Sequence, residues 1–199
     1  MPRPLSDRIR AARAATVEQL TESIVLTVTL DSKLFHFNVA FASDISKDER
    51  EIVWRLLNGN MRDMSKNSSL GWLPIKKKKE LFHSQSRFII VRDDAADIVA
   101  FTMFRFDVED DGDVLYCYEV QVAGESRGFG LGKQLMDFLA SIGKKWRMEC
   151  LMLTVLKVNK GAIRFYKSYG LQVDEYSPDD PDCDYEILSL PFSETDSGS

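Results

Sequence analysis

Apolar and polar residues alternate over VLTVTL (25–30) and FHFNVAF (35–41), the period-two pattern of half-buried strands. Ahead of them, from Leu5 to about Ile24, Leu5, Ile9, Ala12, Val17 and Leu20 recur at helical spacing, with Arg8, Arg10 and Arg13 on the other side. This predicts an N-terminal helix over 1–24, either packed on the domain or serving as a basic docking or targeting arm. Ser46-Lys-Asp-Glu49 has the form of a capping box and opens a helix with Ile52, Val53, Leu56, Leu57 and Met61 on its apolar side. Pro74 starts a short second helix, whose KKKK run at 76–79 reads as a solvated face.

FIIVR (88–92), IVAFTMFRFDV (98–108), the turn-like EDDGD and VLYCYEVQV (114–122) then predict a meander of antiparallel strands. After Val122 the period changes. Leu131, Leu135, Phe138, Leu139 and Ile142 return to helical spacing, CLMLTVL (150–156) reads as a buried strand, and Asn159 to Tyr169 as another helix. Short strands near 171–176 and 184–190 flank the acidic loop SPDDPDCD, and the polar tail over 191–199 predicts disorder. The pattern is that of one α/β (α+β) domain over 25–190, and 199 residues suffice for one real core.

Composition narrows the function classes. The net charge is −5. An acidic chain repels phosphate backbones and membrane surfaces and favours a basic partner. Cys117, Cys150 and Cys183 form no C-x-x-C pair, and His36 and His83 are the only histidines, so neither a structural metal nor a disulfide framework is expected. No apolar run approaches a membrane span, and MPRPLSDRIRAARAA is basic where a signal peptide would turn apolar. A protein of a reducing compartment is expected, monomeric and without a metal.

The candidate chemistry lies in YCYEVQVAGESRGFGLG, residues 116–132, where a strand carrying a glutamate runs into a glycine loop that opens a helix. Glycines let backbone N–H groups converge on a ligand, and a helix start adds its positive end, so the loop suits a pyrophosphate. The Walker pattern fails, because three residues separate Gly128 from Gly132 and Gln134 stands where a hydroxyl residue is needed. The dinucleotide pattern G-x-G-x-x-G also fails, because its third glycine would fall on Lys133 or Leu135.

What fits is Arg127-x-x-Gly130-x-Gly132 straight after a strand, which resembles the acetyl-coenzyme A loop of the GNAT superfamily of N-acetyltransferases. Asn159-Lys-Gly-Ala162-Ile-Arg-Phe165-Tyr166-Lys-Ser-Tyr-Gly170 is similar to a later helix of that superfamily. FRFDV (104–108), VLYCYEVQV (114–122), LMLTV (151–155), DCDYEILS (182–189) and the pair Gly71-Trp72 narrow the resemblance to the type D N-terminal α-amino acetyltransferases, which act on histone 4 and histone 2A. The resemblance implies one mixed, mostly antiparallel sheet flanked by helices, acetyl-CoA as co-substrate, and direct attack in a ternary complex with a strand N–H near 118–122 as oxyanion donor. It further implies that Val120, Gln121, Val122, Arg127, Gly128, Phe129, Gly130, Leu131, Gly132 and Asn159 hold acetyl-CoA. Asp107, Tyr116, Tyr118, Thr154, Tyr185 and Trp72 would hold the substrate, a basic histone tail beginning Ser-Gly-Arg-Gly. Cytoplasm and nucleus are the implied locations, with the ribosome as a further candidate partner.

The chemistry asks for the same parts. An α-ammonium has a pKa of about 8, so a base must take a proton near neutrality. Glu119 is the candidate, against the bland alternative of an exposed strand glutamate paired to a neighbouring cation. Tyr166 stands where the superfamily places a general acid, or packs against the cofactor. Arg127 is a phosphate ligand or a solvated cation, and Cys117 is a core thiol rather than a nucleophile. Asp107, Glu109, Asp110, Asp111 and Asp113 on one hairpin, with Asp179, Asp180, Asp182 and Asp184 on the last loop, would form two acidic rims. The alternatives are a lysine or small-amine acetyltransferase of the same fold, and a non-catalytic acyl-CoA-binding module.

Overall fold

The computed structural model describes residues 5–109 and 112–192. Asp110 and Asp111, and the tail over 193–199, lie outside the described residues. Eight strands form one sheet in the order β1-β2-β3-β4-β5-β6-β8-β7. They are β1 Thr27–Leu30, β2 Lys33–Phe41, β3 Arg87–Arg92, β4 Ile98–Glu109, β5 Gly112–Val122, β6 Cys150–Leu156, β7 Gln172–Val173 and β8 Tyr185–Pro191. All neighbours pair antiparallel except β5 and β6, which run parallel. A parallel pair needs a crossover, and α5 (Leu131–Lys145) supplies it.

One face of the sheet carries α1 (Asp7–Arg13), α2 (Val17–Thr21), α5 and α6 (Lys160–Tyr169), packed around Phe104, Phe106, Leu115 and Leu139. The other carries α3 (Lys47–Ser65) and α4 (Pro74–Leu81), whose Val53, Leu57 and Leu81 meet Phe88, Phe101 and Met103. Side chains from one strand feed both layers because successive residues point to opposite faces. The expected box at Ser46 and Glu49 is present in full.

The N-terminal segment is two short helices where the apolar spacing predicts one. Thr16 accepts from the Gln19 amide while the Gln19 side chain accepts from the Thr16 amide, a second capping box that starts α2 afresh. Ile9, Ala12 and Leu20 are fully buried. Arg13 Nε donates to the Phe106 carbonyl at 2.8 Å, and Arg87 donates to the Arg13 carbonyl. These arginine contacts place the segment in the domain's own hydrogen-bond network.

Candidate active site

The site begins with a register shift. Met103 pairs with Glu119 and Phe104 with Cys117, so Tyr118 is an extra residue on β5, a β-bulge. Below it, Leu115 and Cys117 point into the core on the α5 side. Beyond it, Val120 and Val122 take that side, and Glu119 and Gln121 turn to the α3–α4 side. A one-residue slip exchanges the two faces of a strand, and here it moves a glutamate out of an apolar core into a cavity. Thr102 Oγ1 fastens the bulge by donating to the Glu119 carbonyl at 2.8 Å.

The cavity opens where β5 and β6 part. Their pairing ends at Cys117 and Leu153, although β5 runs on to Val122 and β6 to Leu156. The resulting cleft, about 960 Å³, is walled by β5, β6, the α3–α4 loop, the glycine loop and α6. Among the predicted residues, Glu119, Val120, Gln121, Val122, Tyr116, Tyr118, Thr154 and Trp72 line it. Arg127, Gly128, Gly130, Leu131, Gly132, Asn159 and Tyr166 line it as well.

At the loop end the backbone makes the site. Gly130 has φ 85°, the left-handed region that favours glycine, and is the N-cap of α5 with no side-chain cap. The first-turn N–H groups of α5 are therefore left for a ligand. A Cβ on Gly132 would lie 3.2 Å from Cζ of Phe165, so the glycine allows α5 and α6 to approach. Arg127 is exposed, and its Nη2 donates to Asn60 Oδ1 at 2.8 Å, which orients the guanidinium at the cavity mouth. Asn159 Oδ1 caps α6 by accepting from the Ala162 amide, and this occupies its oxygen. Phe129 is a departure: its side chain packs towards Phe35 beneath the Lys33 ammonium, away from the cavity.

At the other end side chains make the site. Glu119 is 6% exposed. Its Oε1 lies 2.9 Å from Lys77 Nζ and its Oε2 accepts from Gln121 Nε2 at 2.8 Å. The bland alternative of an exposed, ion-paired glutamate is thus half realised: the partner exists, but the carboxylate is buried on a cavity wall. Gln121 is held in turn by Asn60 at 3.0 Å. Burial alone would make Lys77 easier to deprotonate, yet the Glu119 and Glu80 carboxylates outweigh it and hold the ammonium above the usual lysine range. Tyr116 Oη lies 2.5 Å from Thr154 Oγ1, and burial pushes this phenol up to about 12. Burial also pushes the Tyr166 phenol above its ordinary value, and pushes the Cys117 thiol up to about 12, so Cys117 is a protonated core thiol.

Lys77, Glu80 and Asn60 are functional neighbours that the sequence reading passed over. The KKKK run is not wholly solvated: Lys77 sits four positions before the buried Leu81, and that spacing turns it inward. Asn60 falls three positions after the buried Leu57, a polar residue on an apolar stripe. Each spacing was a signal available in the sequence.

The structure corrects the acidic rim on the hairpin at Asp107 and Asp113, while Asp110 and Asp111 lie outside the described residues. Asp107 does not line the cavity; Arg13 Nη2 donates to its Oδ1 at 2.8 Å and Tyr118 Oη to its Oδ2 at 3.0 Å. Asp113 is buried and takes Ser6 Oγ and Arg8 Nε. Charges neutralised from within do not await a substrate. In the last loop Asp184 accepts from the Ser69 amide and hydroxyl, tying that loop to the α3–α4 loop, while Asp179, Asp180 and Asp182 are exposed. Tyr185 pairs with Leu156 at the head of β8 and stays off the cavity wall. Among the described residues no cluster of His, Cys, Asp and Glu is arranged to hold a metal ion, and no helix is long and apolar enough to cross a membrane.

Comparison with solved structures shows the same architecture. The GNAT domain of S. lividans PAT is 13% identical with a TM-score of 0.62, over 83% of this chain and 96% of that one. A GNAT-family acetyltransferase from Listeria monocytogenes is 14% identical with a TM-score of 0.59, over 83% and 99%. Arabidopsis thaliana NAA60, solved with a bisubstrate analogue, is 12% identical with a TM-score of 0.57, over 78% and 97%. At these identities the likeness speaks for the fold. The model of the Acetyltransferase (GNAT) family matches residues 53–171, more than half of the chain, from inside α3 through the glycine loop to the end of α6, and the chain belongs to that family.

Proposed function

We propose that this acetyltransferase acts on the N-terminal α-amine of a peptide, with the Ser-Gly-Arg-Gly start of histone 4 and histone 2A as substrate. One observation carries the reading: β5 delivers a buried carboxylate and then runs straight into the glycine loop, so proton acceptor and anion cradle share one cavity. The residues present fit acetyl-CoA, because uncapped amides of α5 and the Arg127 guanidinium meet at the cavity mouth and no Cβ fills the space at Gly128 or Gly130. Bound acetyl-CoA supplies a thioester-activated acetyl group. Arg127 and the α5 amides would hold its phosphates, while Asn159 and the edge of β5 at Val120 would offer polar groups to its amide-bearing arm.

Glu119 takes one proton from the substrate ammonium, which frees the nitrogen lone pair for attack on the thioester carbonyl; as the amide bond forms the C–S bond breaks, and the nitrogen's surplus proton leaves with the coenzyme as its thiol. Tyr166 stays protonated above its ordinary 10. Facing a thiol of about 8.5, such a phenol donates a hydrogen bond rather than its proton. The adjacent rings of Tyr116 and Tyr118, with centroids 4.8 Å apart, and the Trp72 indole line the acceptor end, where a small first residue would sit. Thr154 and the tyrosine hydroxyls are placed for a peptide backbone. Among the described residues, the exposed Asp179, Asp180 and Asp182 are carboxylates offered to the basic third residue. Such a substrate assigns the protein to cytoplasm and nucleus, acting as a monomer on free histone tails or at the ribosome.

The test is to offer acetyl-CoA with a free Ser-Gly-Arg-Gly peptide, the same peptide with a blocked N-terminus and internal lysines, and a small free amine, and to map the product by mass spectrometry. Acetyl on the first residue of the free peptide is expected. Acetyl on lysines of the blocked peptide establishes the side-chain alternative, and no transfer at saturating acetyl-CoA leaves only a binding module.

A further inference from the structure

Glu119 meets an ammonium inside its own protein. Lys77 Nζ lies 2.9 Å from Glu119 Oε1 and 2.6 Å from Glu80 Oε2, so one cation is shared by two carboxylates. Of the donors to Glu119, Gln121 is braced through Asn60 to Arg127 and is fixed. Lys77 hangs on a flexible stem, 27% exposed, with Glu80 as a second anchor one helical turn away. A protonated substrate amine is the same chemical species as the group already seated on Glu119.

Resting on Glu119 as proton acceptor, we propose that Lys77 is a positioning residue that keeps Glu119 ionised and aimed into the cavity, and gives up its place on that carboxylate to the substrate amine while keeping Glu80. The physical need is plain. A carboxylate this buried and without a counter-cation is neutralised by taking up a proton, and a protonated Glu119 cannot take a second proton from an ammonium. A permanent ion pair would block the amine instead. Sharing the cation with Glu80 avoids both outcomes, because Lys77 is never left as an uncompensated buried charge. The other groups around the pair do not replace it. Tyr166 of α6 and Cys117 of β5 are protonated, Tyr118 donates to Asp107, and Arg105 of β4 spans the Tyr118 ring and the Glu80 carbonyl. Lys76 lines the cavity mouth, but the ion pair on the Glu119 carboxylate is made by Lys77.

Infrared difference spectra between each protein and its Glu119→Gln counterpart isolate the Glu119 carboxyl and need no substrate. The parent and Lys77→Arg are expected to show a carboxylate at pH 7, whereas Lys77→Met and Lys77→Gln show a protonated carboxyl that ionises only at higher pH. With the free Ser-Gly-Arg-Gly peptide as acceptor, the acid limb of kcat/KM moves to higher pH in Lys77→Met, with at least a tenfold loss at pH 7 that alkaline buffer recovers. Lys77→Arg restores the parent profile. Glu80→Gln, which removes the second anchor, raises KM severalfold with kcat nearly unchanged. A carboxylate at pH 7 in Lys77→Met and Lys77→Gln overturns the proposal, as does an unshifted acid limb. If no peptide is acetylated, the substrate reading fails and the spectra still decide the role of Lys77.

Discussion

The two ends of the cavity are built on different principles. The loop end is contiguous: Arg127 to Leu131 follow one strand and open one helix, and the binding groups are backbone amides. The acceptor end is assembled from α3, α4 and β5, with Asn60, Lys77, Glu80, Glu119 and Gln121 meeting across about 60 positions of chain, and its working groups are side chains. A backbone site is robust to exchange of side chains and sensitive to backbone shape. A side-chain site is the reverse, since one altered charge redistributes the others.

The largest effect that sharpens this contrast is Gly130→Val. A β-branched residue at φ 85° costs about 1–3 kcal/mol locally and turns the first-turn amides away from the ligand. Affinity for acetyl-CoA by calorimetry should fall at least ~100-fold while the fold persists. Unchanged affinity would break the backbone account.

Next in size is Asp107→Asn. It removes the charge opposite Arg13 and replaces one of the two oxygens that accept from Arg13 and Tyr118 with a donor, so a loss of about 1–3 kcal/mol in denaturant unfolding is expected, with KM raised alike for peptides bearing arginine or alanine at the third place. A rise confined to the arginine peptide would show that substrate displaces Arg13.

Alkaline titration probes the burial around β5 and β6 more gently. Tyr116, Cys117 and Cys150 are each pushed up by burial to about 12, from ordinary values of 10.0 for the phenol and 9.0 for the thiols. Below pH 9 these groups are protonated in folded and unfolded chains alike. Above it the unfolded chain releases protons that the folded one retains, so stability falls as pH rises from about 9 towards 12. Circular dichroism at fixed denaturant should show this loss, and a flat response would contradict the burial of these groups. Smallest is Cys117→Ala, which should leave turnover within about twofold, since the thiol packs in the core and accepts no acyl group. Loss of turnover without loss of fold would reopen the nucleophile.

This division also explains what was legible in the sequence. Strand alternation, the Ser46 box and the Asn159 helix read directly, because each depends on residues a few positions apart. The glycine loop read for the same reason. The break between α1 and α2 was written as Thr16-x-x-Gln19 but was masked by apolar spacing that continues through it. The bulge at Tyr118 was not legible, because a register shift belongs to the pairing of two strands and leaves no mark on either alone. Internal neutralisation of Asp107 and Asp113 escaped for a similar reason: acids in a turn look alike whether they face water or the arginines of a helix about a hundred residues earlier.

The central claim is that the strand bulge presents Glu119 as the proton acceptor beside a backbone-built acetyl-CoA site. Its most direct test is Glu119→Gln, measured for acetyl-CoA affinity by calorimetry and for single-turnover transfer to the peptide. The account predicts affinity within about twofold of the parent and a transfer rate lower by about 10²–10⁴. Transfer at the parent rate with affinity unchanged would contradict it.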